Sequence, residues 1–93
     1  MKNKKIKKIR KKLDKLDNLF LSLIKKRTIL VNQVLANKKF KNEIIDKKRI
    51  NVILKNIRKK SIRKKIDPKI TRPIWISMIR AYIQYEFRNF KKK

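Results

Sequence analysis

Ninety-three residues carry 32 Lys and Arg against six acids, a formal charge of +26, and such a chain makes one small domain, residues 1–93, with little interior of its own. The absence of Cys and His excludes disulfides, thiolate or imidazole metal sites, and Cys–His or Ser–His catalysis. The acids Asp14, Asp17, Glu43, Asp46, Asp67 and Glu86 are too dispersed for a calcium loop, so any chemistry runs on positioning and fixed charge, with no metal and no cofactor.

A first helix is predicted from about Lys5 to about Lys39, on the order of 50 Å long. Its apolar residues recur in steps of three and four: Ile6, Ile9, Leu13, Leu16, Phe20 and Leu23. Such a seam faces a partner. Arg27 takes the next seam position, and Leu30 and Val34 resume the pattern. A guanidinium on an apolar stripe either snorkels to solvent or meets an anion, and the pattern alone leaves both readings open. Lys38 follows eleven residues later, about 20° away around an ideal helix. Two such cations can grip a small dianion between them.

Lys41, Asn42 and Glu43 read as a connection. Asp46 is a candidate cap for a second helix with the stripe Ile50, Ile53/Leu54, Ile57 and Ser61. Asp46 and Arg49 stand at i and i+3, where a carboxylate can steady a guanidinium or simply form an exposed ion pair of little worth. Asp67-Pro68 reads as cap and first-turn proline of a third helix. Thr71 is a second candidate cap, because Pro73 is awkward deep inside a helix. The third stripe is Ile74, Trp75, Met78, Ile79, Tyr82 and Ile83, ending on Glu86. By default Tyr82 is a core residue with its hydroxyl tied, and an acid at such an apolar position faces solvent. The Lys91–Lys93 tail is expected to fray.

This is an all-α chain of three helices, and its long first helix is too long for the other two to cover. Two copies packed antiparallel would bury each other's seam as an intertwined homodimer. Arg10 and Arg27 are 17 residues apart, about 25 Å along one helix, too far to share a small ligand within one chain. Antiparallel pairing can bring Arg10 of one chain near Arg27 of the other.

The lysines are spread along the whole chain instead of forming one stripe. Such charge attracts polyanions weakly and carries little specificity, so no specific nucleic acid is expected. No apolar run reaches the roughly 18 residues that span a membrane. The short Leu19–Ile24 segment meets Lys25, Lys26 and Arg27 with no small-residue cleavage site, which argues against a signal peptide and for the cytoplasm.

In order and spacing, these residues resemble the all-helical chorismate mutase family over nearly the whole chain. Ile9-Arg10-Lys11-Lys12-Leu13-Asp14-Lys15-Leu16-Asp17 is similar to that family's first-helix pattern. Arg27 falls at its second arginine, Lys38 at its lysine, and Asp46-Lys47-Lys48-Arg49 at its Asp-x-x-Arg. Ile66-Asp67-Pro68 is similar to its Asp-Pro before helix three, and Ile74-Trp75 through Glu86 to that helix. The resemblance implies an intertwined dimer in which each site is completed by the other subunit's first-helix arginine. It also implies a dicarboxylate substrate, chorismate, rearranged to prephenate for aromatic amino acid biosynthesis.

That reaction is an intramolecular pericyclic step and needs no nucleophile, metal or redox cofactor. It needs a compact substrate conformer and stabilisation of charge developing on the breaking ether oxygen. By the resemblance, Arg10 from the partner, Arg27 and Arg49 would serve the carboxylates or order the site, and Lys38 would donate to the ether oxygen and a carboxylate. Asp46 would orient the ring-hydroxyl region and Arg49. Two departures stand out. Ile50 replaces the Glu that many members carry after the helix-two arginine. Glu86 replaces a Gln donor, with Tyr82 where a Ser is common one turn earlier. Ionised Glu86 would repel the developing charge, so it helps only when protonated. Ile50 and Tyr82 also resemble the isochorismate-pyruvate lyase branch of this fold, the alternative enzyme. A third reading is a basic helical nucleic-acid binder that stacks bases on Trp75, Tyr82, Tyr85, Phe87 and Phe90.

Overall fold

The computed structural model describes residues 2–91 as helices without strands. Helix α1 spans Lys2–Ala36, a 3-10 turn spans Lys41–Glu43, α2 spans Lys47–Arg63 and α3 spans Pro68–Asn89. The chain divides into two compact units at Gln33/Val34. Of the tail expected to fray, Lys91 follows the end of α3, and Lys92 and Lys93 lie outside the described residues.

The first unit is α1 up to Gln33. Its straight-chain Lys and Leu residues favour helix, and Ser22 and Thr28 donate their hydroxyls to the carbonyls of Asn18 and Ile24 one turn back. The apolar seam is present as the spacing predicts, yet it lies bare: Ile9 is 57% exposed, Leu16 56%, Leu23 61% and Leu30 59%. A contiguous apolar stripe of this length is more exposed apolar surface than a monomer usually carries.

Helix α1 ends three residues before the predicted Lys39. The N–H groups of Asn37 and Lys38 bond the carbonyls of Val34 and Leu35, both at 3.0 Å, a tightened turn that closes the helix. Lys38 therefore stands outside α1, and its expected position on the Arg27 face of one ideal helix does not apply. Glu43 holds the next turn by accepting from the N–H of Lys39 at 2.7 Å and of Phe40 at 3.4 Å.

The second unit, Val34–Lys93, is built on α2 packed against α3. Asp46 caps α2 as expected, its Oδ1 accepting from the Arg49 N–H at 3.0 Å. Asp67 caps α3 by accepting from the Lys69 N–H at 2.9 Å, and Pro68 takes the first position, where no N–H is needed. Thr71 is not a cap: α3 runs from Pro68 straight through Pro73. The Thr71 hydroxyl instead lies 2.8 Å from that of buried Ser61. Ser61 spends its one hydrogen on the Ile57 carbonyl at 2.6 Å, so Thr71 is the donor of the pair.

The α2 stripe is shielded as predicted, with Ile50, Ile53, Leu54 and Ile57 half-buried and Ser61 buried. On α3, Trp75, Met78, Ile79, Tyr82 and Ile83 are half-buried, whereas Ile74 is 42% exposed at the edge of the stripe. Leu35 and Ile44 are the buried hydrophobic residues among those described. So small an interior offers little to offset the entropy of ordering the chain.

Helix α2 closes with Lys65 at φ 58, the left-handed region. The N–H groups of Ile66 and Lys65 bond the carbonyls of Ser61 and Ile62 at 2.8 and 3.1 Å, the paired bonds of a helix stop that usually employs glycine. Lys65→Gly should raise stability by about 0.5–1 kcal/mol by removing the Cβ clash. Thermal unfolding checks this; an unchanged or lower midpoint would mean the lysine side chain contributes more than its strain costs.

Candidate active site

The site centres on two side chains of the second unit. Lys38 leaves the tightened end of α1, and Glu86 occupies the last core-facing position of α3. Lys38 Nζ donates to Glu86 Oε1 at 3.1 Å. Their side chains are 18% and 9% exposed, so this is a shielded ion pair and not a surface contact. Glu86 does not face solvent. A carboxylate at a buried stripe position is tolerable because an ammonium meets it, and the stop at Ala36 is what lets Lys38 do so.

The other second-unit candidates sit on the same two helices. Asp46 and Arg49 are exposed at the start of α2, with Ile50 half-buried beside them. The Asp46 carboxylate engages the main-chain N–H of Arg49; among the described residues no ion pair joins it to the Arg49 guanidinium. Tyr82 is half-buried one turn before Glu86 and meets the Tyr85 ring edge-on, centroids 6.3 Å apart at 83°. Arg10 and Arg27 belong to the first unit. Arg10 is exposed, while Arg27 is half-buried, with no carboxylate partner among the described residues.

Sequence reasoning took Lys38 and Glu86 as separate groups and missed their pairing. The signal was there: an acid at a core position of a chain this basic demands a cation. Of the residues offered to a base-stacking surface, Phe87 is 40% exposed, while Trp75, Tyr82, Tyr85 and Phe90 are half-buried. Among the described residues no group of His, Cys, Asp and Glu can hold a metal ion, and no helix is long and apolar enough to cross a membrane.

A shielded ammonium within reach of a single acid, with further arginines on the same chain, is equipped to bind carboxylates and steady negative charge. Comparison with curated proteins and with solved structures gives no significant match. The family model for chorismate mutase type II matches residues 9–87, a span that runs from the seam of α1 to just past Glu86. The chain belongs to the chorismate mutase type II family and is an isomerase that acts on chorismate.

Proposed function

We propose that the isomerisation proceeds at a site built on Lys38 and Glu86 and completed by a second copy of the chain, in the cytoplasm. The shielded Lys38–Glu86 pair carries this reading. Glu86 holds the Lys38 ammonium in one place. Chorismate brings two carboxylates and an ether oxygen, and Lys38 exchanges Glu86 for them. Its charge is then fixed beside the oxygen on which negative charge grows, which lowers the barrier without reorganising solvent. Arg27 and Arg49 hold the carboxylates and fix the chair-like conformer, with Ile50 and Tyr82 as apolar walls and Asp46 beside Arg49. No proton, metal or cofactor enters the rearrangement itself.

The bare seam of α1 supports the second copy. Its exposed leucines and isoleucines need a cover of matching length, and another α1 antiparallel to it supplies one. Arg10 of that copy then serves the site of its partner. Mixing an Arg10→Ala chain with an Arg27→Ala chain should restore about a quarter of full activity, because half of randomly exchanged dimers are mixed and each holds one intact site. The mixture is assayed at moderate salt, where repulsion between two chains of +26 is screened. No gain over the separate variants, or a monomer by sedimentation, would remove the shared site.

Glu86 adds a charge signature. Released from Lys38, its carboxylate faces the oxygen on which negative charge develops. Glu86→Gln keeps the shape of the side chain, removes that charge and adds an N–H donor. The variant should turn chorismate over faster than the parent at one fixed pH; an unchanged rate would take Glu86 out of the reacting pocket.

A further inference from the structure

A second feature of the α2–α3 hairpin has no part in this mechanism. Arg58 from α2 and Lys69 and Arg72 from α3 line a depression of about 390 Å³ that is wide open to solvent, together with Pro68, Pro73 and Ile76. A smaller hollow of about 10 Å³, room for about one water, adjoins it and shares Arg58, Pro68 and Arg72. The cleft lies at the opposite end of α3 from Glu86: Ile76 is ten residues before it, about 15 Å along the helix.

Among the described residues no carboxylate pairs with the side chains of Arg58, Lys69 or Arg72. The nearest acid in sequence, Asp67, is committed to the Lys69 main-chain N–H at 2.9 Å. Three exposed like charges thus line one open surface, and a bound anion would relieve what repulsion solvent and salt leave between them. The choice of residue narrows the anion. Most cations of this chain are lysines, yet the two that face the cleft from different helices are arginines. Their planar forks match a carboxylate or a phosphate in two-pronged fashion, which an ammonium cannot do, and the apolar residues beside them favour a carboxylate carried on a ring. Pro68, Pro73 and Ile76 add apolar surface to the same lining for whatever carries the carboxylate.

We propose that this cleft is a second anion site, separate from the catalytic one, for a small carboxylate attached to a flat apolar ring. The ligand ties α2 to α3 by bridging Arg58 and Arg72 while its ring lies on Pro68 and Pro73. Binding therefore stabilises the folded chain by mass action.

The test uses benzoate as probe at physiological salt, with amide chemical shifts and the unfolding midpoint as readouts and inorganic phosphate as the head-group control. Benzoate should perturb Lys69, Arg72 and Ile76 in a saturable way, raise the midpoint, and bind more tightly than phosphate. Arg58→Gln/Arg72→Gln should weaken it at least tenfold. Lys59→Gln/Lys60→Gln, which removes two exposed charges of α2 outside the cleft, should change it less than twofold. Equal losses in both double variants, shifts spread over the whole chain, or phosphate binding as tightly as benzoate would overturn the proposal, because general attraction to a basic surface would explain them. Retained binding in Arg58→Gln/Arg72→Gln overturns it as well. Mutase activity is not the readout, so failure here leaves the catalytic reading untouched.

Discussion

Lys38→Ala should lower kcat by about 10²–10³-fold, the usual cost of removing one donor aimed at charge that develops in a transition state. The reason is differential. Chorismate in its ground state offers Lys38 a neutral ether oxygen, and only along the reaction does that oxygen acquire charge. KM should therefore change much less than kcat. The substitution also strands Glu86, which is 7% exposed and has Lys38 at 3.1 Å. A shielded carboxylate left without its cation costs about 1–3 kcal/mol of stability. The double variant Lys38→Ala/Glu86→Gln separates the two effects. It should regain stability because no charge is stranded, yet remain slow because no ammonium returns. If the double variant recovers activity, Lys38 matters only as the counter-ion of Glu86. An effect confined to KM would reduce Lys38 to an attractor of dianions.

Arg27→Lys should cost about 10–100-fold in kcat/KM, the equivalent of one charge-assisted hydrogen bond of about 1.5–3 kcal/mol. The charge is kept, so any loss reports geometry. A guanidinium grips a carboxylate with two parallel N–H bonds and fixes the plane of the substrate; an ammonium is a point charge that leaves it free to rotate. Arg27 is half-buried on a helix whose neighbouring seam residues Leu23 and Leu30 are 61% and 59% exposed, and no carboxylate of the described residues neutralises it. Near-normal kinetics for Arg27→Lys would make it a snorkelling side chain that happens to interrupt the seam.

How much of this was legible in the sequence depends on how local each feature is. The caps at Asp46 and Asp67 are readable because a cap needs only its own residue and the two or three N–H groups after it. The stripes of α2 and α3 are readable because burial at a period of 3.6 leaves its trace in every turn. The α1 seam is equally plain, although one chain alone leaves it bare. The Lys38–Glu86 contact joins residues 48 apart, and no local pattern encodes it. Expecting α1 to continue to Lys39 misplaced Lys38, since the tightened bonds at Asn37 and Lys38 follow no strong stop signal. Lys65 at positive φ escapes notice for a related reason: a chain without glycine lacks the residue that most often marks such a turn. Thr71 shows the reverse case. Its hydroxyl looks like a cap from its neighbours, and packing across to Ser61 claims it instead.

The most direct measurement is the fate of chorismate, and of isochorismate in a parallel assay, with the purified chain in buffer containing a chelator and no added cofactor, followed by absorbance with products separated by chromatography against standards. Chorismate should disappear with saturable kinetics and yield prephenate of the same mass, unaffected by the chelator, with the rate collapsing in Lys38→Ala. Persistence of chorismate beside release of pyruvate from isochorismate, or a requirement for added metal, would contradict an isomerase that works by fixed charge alone.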